Sequence, residues 1–356
     1  MSPGIREQHD EFPMIANREG KMIVGQFGAC INVFLDAYCG DIREGDVFLT
    51  NDPYACNGAI SHSPDWLVIM PIYKDGRIIG WAAMFGHMTD TGGRSPGSMP
   101  TDAQQIYEEG ILIPPTKIYD AGKRNEETLN LILRNCRMPD WNKADLDALI
   151  AGCQLAGKRV REISERFGDN VYFSSLNKLL DRTHDAMRQI INTTIPEKKQ
   201  YFEDYLDDDG IGMGPYKIAC SMWREDGKLI LDFEGTDPQS SSSVNFYCNE
   251  EMTKMHSGVF LIMLADPQIL FNDGFYDLME VRIPKGTLLN PKWPAALSCR
   301  THGLARSMDV LAGLFGQGNP DYLCAAGFSA SPHFLYSGYD KHGKWFQLFH
   351  ITFGGV

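Results

Sequence analysis

Apolar positions change their spacing twice along this chain. Up to about Lys123 they come in short runs rich in aliphatic and aromatic residues, "KMIVGQFGACINVFLDAY" from Lys21 and "WLVIMPIYKDGRIIGWAAMF" from Trp66. Strands favour that composition. The second run is broken at Lys74-Asp75-Gly76-Arg77, a two-residue hairpin signal. From Asn142 the period lengthens. Leu146, Leu149, Ile150, Cys153, Ala156, Val160, Ile163 and Phe167 recur at steps of three and four and predict a helix over 142–167. Leu176, Leu180, Met187, Ile190 and Ile191 predict a second helix, which Pro196 ends. The polar stretch "EKKQYFEDYLDDDGIG" that follows marks a boundary between parts 1–200 and 201–356.

The last third mixes both periods. "YKIACSMWREDGKLILDFEGTD" is a second hairpin around Asp226-Gly227. A helix is expected over Glu250 to Ala265, a strand in "VRIPKGTLLNP", and another helix in "GLARSMDVLAGLFGQG", closed by Gly316 and Gly318. The fold class is therefore α+β: a β-rich N-terminal part, a central helical segment and a second mixed part. The closing "FHITFGGV" leaves Val356 after a strand-like segment, so the polypeptide is expected to continue beyond it.

Composition narrows the function. The 46 acidic and 33 basic residues give a net charge of −13, which argues against a nucleic-acid partner. The longest apolar run, "GVFLIMLA" from Gly258, is too short to span a membrane, and "MSPGIREQHDEF" lacks the apolar core of a signal peptide. Nine cysteines without a CxxC pair read as reduced core residues of a cytoplasmic protein.

Candidate chemistry concentrates in "NDPYACNGAISHSPDWLVIMPIYKDGRIIGWAAMFGHMTD", where a histidine stands beyond each end of the first hairpin. With Asp75-Gly76 as the turn, His87 is expected opposite Pro64 and His62 opposite Thr89. The two imidazoles would then be diagonal neighbours on one face, about 7–8 Å apart at the backbone. Asp65 falls on the other face unless the chain bends at Ser63-Pro64. Two histidines and a carboxylate with open positions suit a first-row divalent metal, and strand-end histidines equally suit a plain structural role. Asp90 can orient a ligand imidazole or itself ligate, and Gly92 and Gly93 after it permit a close backbone approach.

Other residues carry less. His9 and Asp10 form a possible acid–base pair in a charged segment. Arg300 and His302 precede a helix whose N-terminus can hold an anion. His184 and His256 lie in helices, and Cys56 lacks an identifiable base. Neither GxxxxGK[ST] nor a GxGxxG after a strand occurs, so nothing in the sequence marks a nucleotide site.

The same stretches carry a resemblance. "IREQHDEF", "GDVFLTNDPY", "SHSPDWLVIMPIY", "GHMTDTGG", "LDFEGTD", "IPKGTLLNP" and "CRTHGLARSMDVL" together resemble the hydantoinase B/oxoprolinase family over nearly the whole length. In detail they look closest to the large subunits of ATP-dependent ketone (acetone or acetophenone) carboxylases. That resemblance implies a divalent metal, manganese or zinc, on His62, Asp65 and His87, with Asp90 behind them. It also implies ATP and Mg²⁺ bound by a hydantoinase A-like partner subunit, a possible small third subunit, and a small ketone and bicarbonate as substrates. The alternatives are an ATP-dependent hydantoinase or 5-oxoprolinase that opens a cyclic amide, and a non-catalytic scaffold subunit. This chain has "SHSPDW" where many hydantoinase and oxoprolinase relatives carry Gly-Thr-His-x-x-Asp.

Overall fold

A computed structural model describes residues 2–26, 28, 30–327 and 333–351. A short helix α1 (Pro3–Gln8) leads into strands β1 (Glu11–Ala16) and β2 (Met22–Gly25), followed by helix α2 (Cys30–Ala37). Strands β3 (Val47–Thr50), β4 (Asp65–Lys74), β5 (Arg77–His87), β6 (Thr116–Asp120) and β7 (Lys123–Arg124) complete a seven-stranded sheet. Its order is β2-β1-β5-β4-β3-β6-β7, with antiparallel neighbours throughout.

Strands β4 and β5 lie mid-sheet, and alternation sends their side chains to two separate cores. Trp66, Val68 and Met70 face helices α3 (Glu126–Arg134), α4 (Pro139–Phe167) and the start of α5 (Asp169–Thr194). Leu67, Ile69 and Ala83 pack with Ile31 and Phe34 of α2 on the other face. Helix α4 buries most of the stripe read from the sequence, Leu146, Leu149, Ile150, Cys153 and Val160, while Ile163 and Phe167 at its end are exposed. It sits so close to β5 that a Cβ on Gly152 would fall 2.1 Å from the Met84 sulfur. Truncating Leu149 to Ala in this packing costs about 2–5 kcal/mol.

One stretch departs from expectation. Cys30 to Ala37, strand-like in composition, forms α2, because Cys30, Ile31, Val33 and Phe34 make a buried stripe at helical spacing. Packing of that stripe on the sheet outweighs the weak strand preference of its branched residues. Phe27 and Ala29 of the same run lie outside the described residues.

The second sheet runs β11-β10-β9-β8, from β8 (Gln200–Leu206), β9 (Tyr216–Glu225), β10 (Lys228–Asp232) and β11 (Met279–Arg282), with only β10 and β11 parallel. Strand β8 is drawn from the polar stretch read as a boundary. Helix α6 (Glu250–Ala265) starts where Asn249 accepts the Met252 N–H, and α7 (Thr301–Gly318) packs on β8 and β9. Helix α5 belongs to both cores: Tyr172 is buried in the first, Met187, Ile190 and Ile191 in the second. A final hairpin, β12 (His333–Tyr339) and β13 (Trp345–Ile351), sends Gln347 back to donate to the Thr89 carbonyl at 2.8 Å. The architecture is the mixed α+β one read from the sequence. The end of "FHITFGGV", from Thr352, lies outside the described residues.

Candidate metal centre

The first hairpin turns at Asp75 and Gly76, both at positive φ (+50° and +72°), as a two-residue turn requires. Lys74 and Arg77 on either side reach Asp169 at the α4–α5 corner and pin the turn. Lys74 faces Arg77 and Tyr73 faces Ile78, but Ile72 faces Gly80, so Ile79 is an inserted residue. This β-bulge shifts the remaining register by one. Asp65 consequently faces His87, where the turn alone would have put Pro64. Because strand side chains alternate, the one-residue shift brings Asp65 to the His87 face. No bend at Pro64 is needed. His62 lies beyond the strand, its carbonyl accepting the Asp65 N–H at 3.2 Å, while the Pro64 carbonyl accepts from Met88 at 2.8 Å.

These three residues converge. Asp65 Oδ1 lies 2.9 Å from His62 Nε2 and 3.0 Å from His87 Nδ1. All three are buried, and their donor atoms lie within 4.8 Å of one another. Among the described residues this is the group of three or more His, Cys, Asp and Glu side chains with metal-holding spacing. Two imidazoles and one carboxylate are the donor set of a first-row divalent ion. Burial, reinforced by the Arg300 guanidinium, pushes the His62 imidazole down to about 3, keeping it in the neutral form that ligates. Burial alone would raise the Asp65 carboxyl. Contact with the two imidazoles, His62 first and His87 after it, holds it well below the usual carboxylate range. For His87 burial works downward, but its hydrogen bond to Asp65 and the Asp10 charge prevail and raise it.

The loop carrying His62 is fixed by the "NDPY" segment. Buried Asn51 donates through Nδ2 to the Ser63 carbonyl (2.7 Å) and the Ile111 carbonyl (2.9 Å), and accepts the Ile113 N–H at 2.6 Å. Asp52 Oδ1 accepts from Tyr54 and Ala55, closing the turn that follows. Ser63 Oγ donates to the Glu109 carbonyl at 2.9 Å. The Glu109 carboxyl accepts from Leu297 (2.5 Å) and Ser298 (2.7 Å), tying this loop to the approach to α7.

Arg300 uses that approach. It donates through Nε to Ser61 Oγ (2.6 Å), through Nη2 to His62 Nε2 (3.1 Å), and through Nη1 to Thr301 Oγ1, with Asp65 Oδ2 3.5 Å away. Sequence reading marked Arg300 only as a helix-terminal anion contact. Its partners lie about two hundred and forty positions earlier, a distance no local spacing reports. Asp10 also joins the site, with Oδ2 3.9 Å from His87 Nδ1, whereas His9 is exposed beside Glu11. His302 lies in the first turn of α7.

Asp90 is turned to the loop after it. Its carboxylate accepts from the Gly92, Gly97 and Arg137 N–H groups and pairs with the Arg137 guanidinium at 3.1 Å. Cys56 is buried against Thr50, and burial pushes its thiol up to about 11. His184 lies by Asp185 and Asp277 on α5, away from the trio. His256 lines a cavity that also touches Asp65 and Arg300.

Comparison with known proteins identifies the family of the chain. Over 293 residues the chain is 29% identical to the caprolactamase subunit beta of Pseudomonas jessenii, covering 82% of this chain and 49% of that one. It is 26% identical over 301 residues to the acetophenone carboxylase delta subunit of Aromatoleum aromaticum, covering 82% of this chain and 43% of that one. The nucleotide-free structure of acetone carboxylase superposes on 98% of this chain and 49% of its own, with a TM-score of 0.87 at 22% identity. The chain thus spans about half the length of these proteins. Residues 1–356 match the family described as hydantoinase B/oxoprolinase, and the chain is a member of that family.

Proposed function

We propose that this chain carries the metal-assisted step of an ATP-dependent reaction on a carbonyl compound, and that the reaction is carboxylation of a ketone. The observation that carries the reading is the buried trio His62, Asp65 and His87, which meets a largely apolar cavity through Asp65. The similarity to the acetophenone carboxylase delta subunit supports the ketone. A manganese or zinc ion held by the three residues would supply Lewis acidity toward a carbonyl or carboxyl oxygen. Ionised Asp65 supplies the anionic ligand and neutral His62 a lone pair. Arg300 sets a fixed cation beside the oxygen on which negative charge grows. Phe12, Leu67 and Phe85 line the cavity and keep water from an activated intermediate.

ATP with Mg²⁺ belongs, in this reading, to a hydantoinase A-like partner, because the chain has no phosphate-cradling motif. The second reading, opening of a cyclic amide, is favoured by the 29% identity to caprolactamase subunit beta. Incubation of the native assembly with ATP separates them. Carboxylation predicts consumption of acetone or acetophenone only when bicarbonate is present. Bicarbonate-independent opening of a hydantoin or of caprolactam, with both ketones untouched, would replace it by the second reading. Elemental analysis that finds no stoichiometric metal in active assembly would remove the metal from both.

A further inference from the structure

Among the described residues, the charged or titratable side chains lining the cavity beside Asp65 are Asp10, Asp65, His256 and Arg300. Asp10 lies by His87, Asp65 joins both imidazoles of the trio, and Arg300 reaches Ser61, His62 and Thr301. His256 stands apart. It forms no hydrogen bond or ion pair with the described residues, and its ring lies 6.4 Å from that of Phe246. Helix α6 carries it there: Met252, one turn earlier, lines the same cavity, because residues four apart share a helix face. Burial, with the Arg300 charge adding to it, lowers the imidazole to about 4 and leaves it neutral near pH 7. A neutral imidazole with an unused lone pair is a proton acceptor.

We infer that His256 is the base that takes a proton from the carbon beside the substrate's carbonyl. The inference deepens the carboxylation reading and rests on it. The cavity holds about 180 Å³, and an apolar cavity of roughly 150 Å³ already accommodates benzene. A small ketone that meets the cavity at Asp65 is therefore within reach of the other lining side chains, His256 included. In the step the C–H bond breaks, its electron pair becomes the carbon–carbon double bond of an enolate, and the proton passes to an imidazole nitrogen. The former carbonyl oxygen takes the negative charge. Burial disfavours the imidazolium only while it stands alone. Here the enolate forms with it as its counter-ion, and opposite charges attract more strongly in a water-poor cavity than in water. Trio and base thus come from different parts of the chain, the trio from the first hairpin and its approach, His256 from a helix packed in the second core.

The test uses the native, metal-loaded assembly in D₂O with acetophenone and ATP, bicarbonate being left out. Proton NMR follows loss of the ketone's methyl signal, calorimetry its binding, and elemental analysis the metal. His256→Gln keeps a polar side chain but cannot hold the proton. It is expected to slow exchange at least about 100-fold, the lower end of what a positioned base contributes. Binding should change less than about threefold, with metal content constant. A histidine with a merely structural role would move binding or folding together with exchange. His256→Ala decides if the glutamine is not tolerated: exchange should fall likewise, and added imidazole should restore it at least about tenfold. His184→Ala is the control and should exchange like the parent. Exchange undiminished in either His256 variant, or kept in His256→Gln and lost in metal-loaded Asp10→Asn, would overturn the inference and leave the carboxylation reading standing. A parent assembly that binds acetophenone yet exchanges nothing would overturn both.

Discussion

The hairpins β4–β5 and β9–β10 turn on the same dipeptide, with Asp75 and Asp226 at φ +50° and +49°, and Gly76 and Gly227 at +72° and +75°. Beyond the turn they differ. In β9–β10 every pair follows the register the turn sets, from Glu225 opposite Lys228 to Ser221 opposite Asp232. In β4–β5 the inserted Ile79 displaces all later pairs by one and seats Asp65 against His87. The regular hairpin ends in Asp232, which caps the following turn by accepting the Glu234 N–H. The bulged one ends in a buried cluster of acid and imidazoles. Turn chemistry starts a register, and one extra residue decides which side chains share a face at the far end.

The largest effect should come from the paired end itself. His87→Ala removes a donor, so metal affinity should fall by more than about 100-fold, since even outer-shell changes cost 10–100-fold. The ATP-dependent turnover proposed above should fall with it. The corresponding end of the other hairpin, Asp232→Asn, should leave metal content unchanged, as should His184→Ala. Elemental analysis with circular dichroism checks all three, and a fully metal-loaded His87→Ala protein would undo the contrast between the hairpins.

Asn51→Ala tests the support of that end. Three hydrogen bonds to buried backbone are lost, so urea unfolding should show a loss of about 2–4 kcal/mol. Metal affinity should fall about tenfold as the His62 loop loosens. Unchanged stability would mean that the loop is held elsewhere.

Glu109 gives the pH dependence. Burial raises its carboxyl to about 8, against the N–H groups of Ser298 and Leu297 that act to lower it. A raised folded pKa stabilises fully below the unfolded value of 4.5, and that contribution is lost as pH rises toward 8. Thermal melts of the parent should therefore lose on the order of 2 kcal/mol between pH 5 and 7 relative to Glu109→Gln, which keeps the accepting oxygen. Parallel curves for the two proteins would contradict this.

The smallest effect should be the most alike. Gly76→Ala and Gly227→Ala each put a Cβ into left-handed backbone, at about 1–2 kcal/mol apiece, with metal content untouched. A markedly larger loss at Gly76, accompanied by loss of metal, would mean that the turn and not the bulge governs the site.

Both turns are legible in the sequence because few dipeptides accept two successive positive φ values. Helices α4 and α5 are legible from their stripes, which packing uses in part: Leu146 to Val160 supply the buried face of α4, while Ile163 and Phe167 at its end are exposed. His62 and His87 stand out as polar residues at the ends of apolar runs. The face taken by Asp65 is hidden, because Ile79 in "RIIGWAAMF" looks like its neighbours and nothing local says which residue will be extra. Helix α2 is hidden for a related reason: its stripe gains its energy from a sheet that the stripe does not encode. Arg300 is seen only when α7 is folded against the loop of Ser61 and His62.

That last separation imposes an order on assembly. The five strands that frame the trio, β2-β1-β5-β4-β3, lie wholly within residues 11–87, whereas Arg300 follows more than two hundred residues later. At about 5–20 residues per second of synthesis, the hairpin leaves the ribosome roughly 10–40 seconds before its cationic neighbour. During that interval the nascent chain presents two imidazoles and a carboxylate with no guanidinium beside them. If the trio holds an ion as proposed, all three of its ligands are synthesised well before the guanidinium that comes to lie beside Asp65.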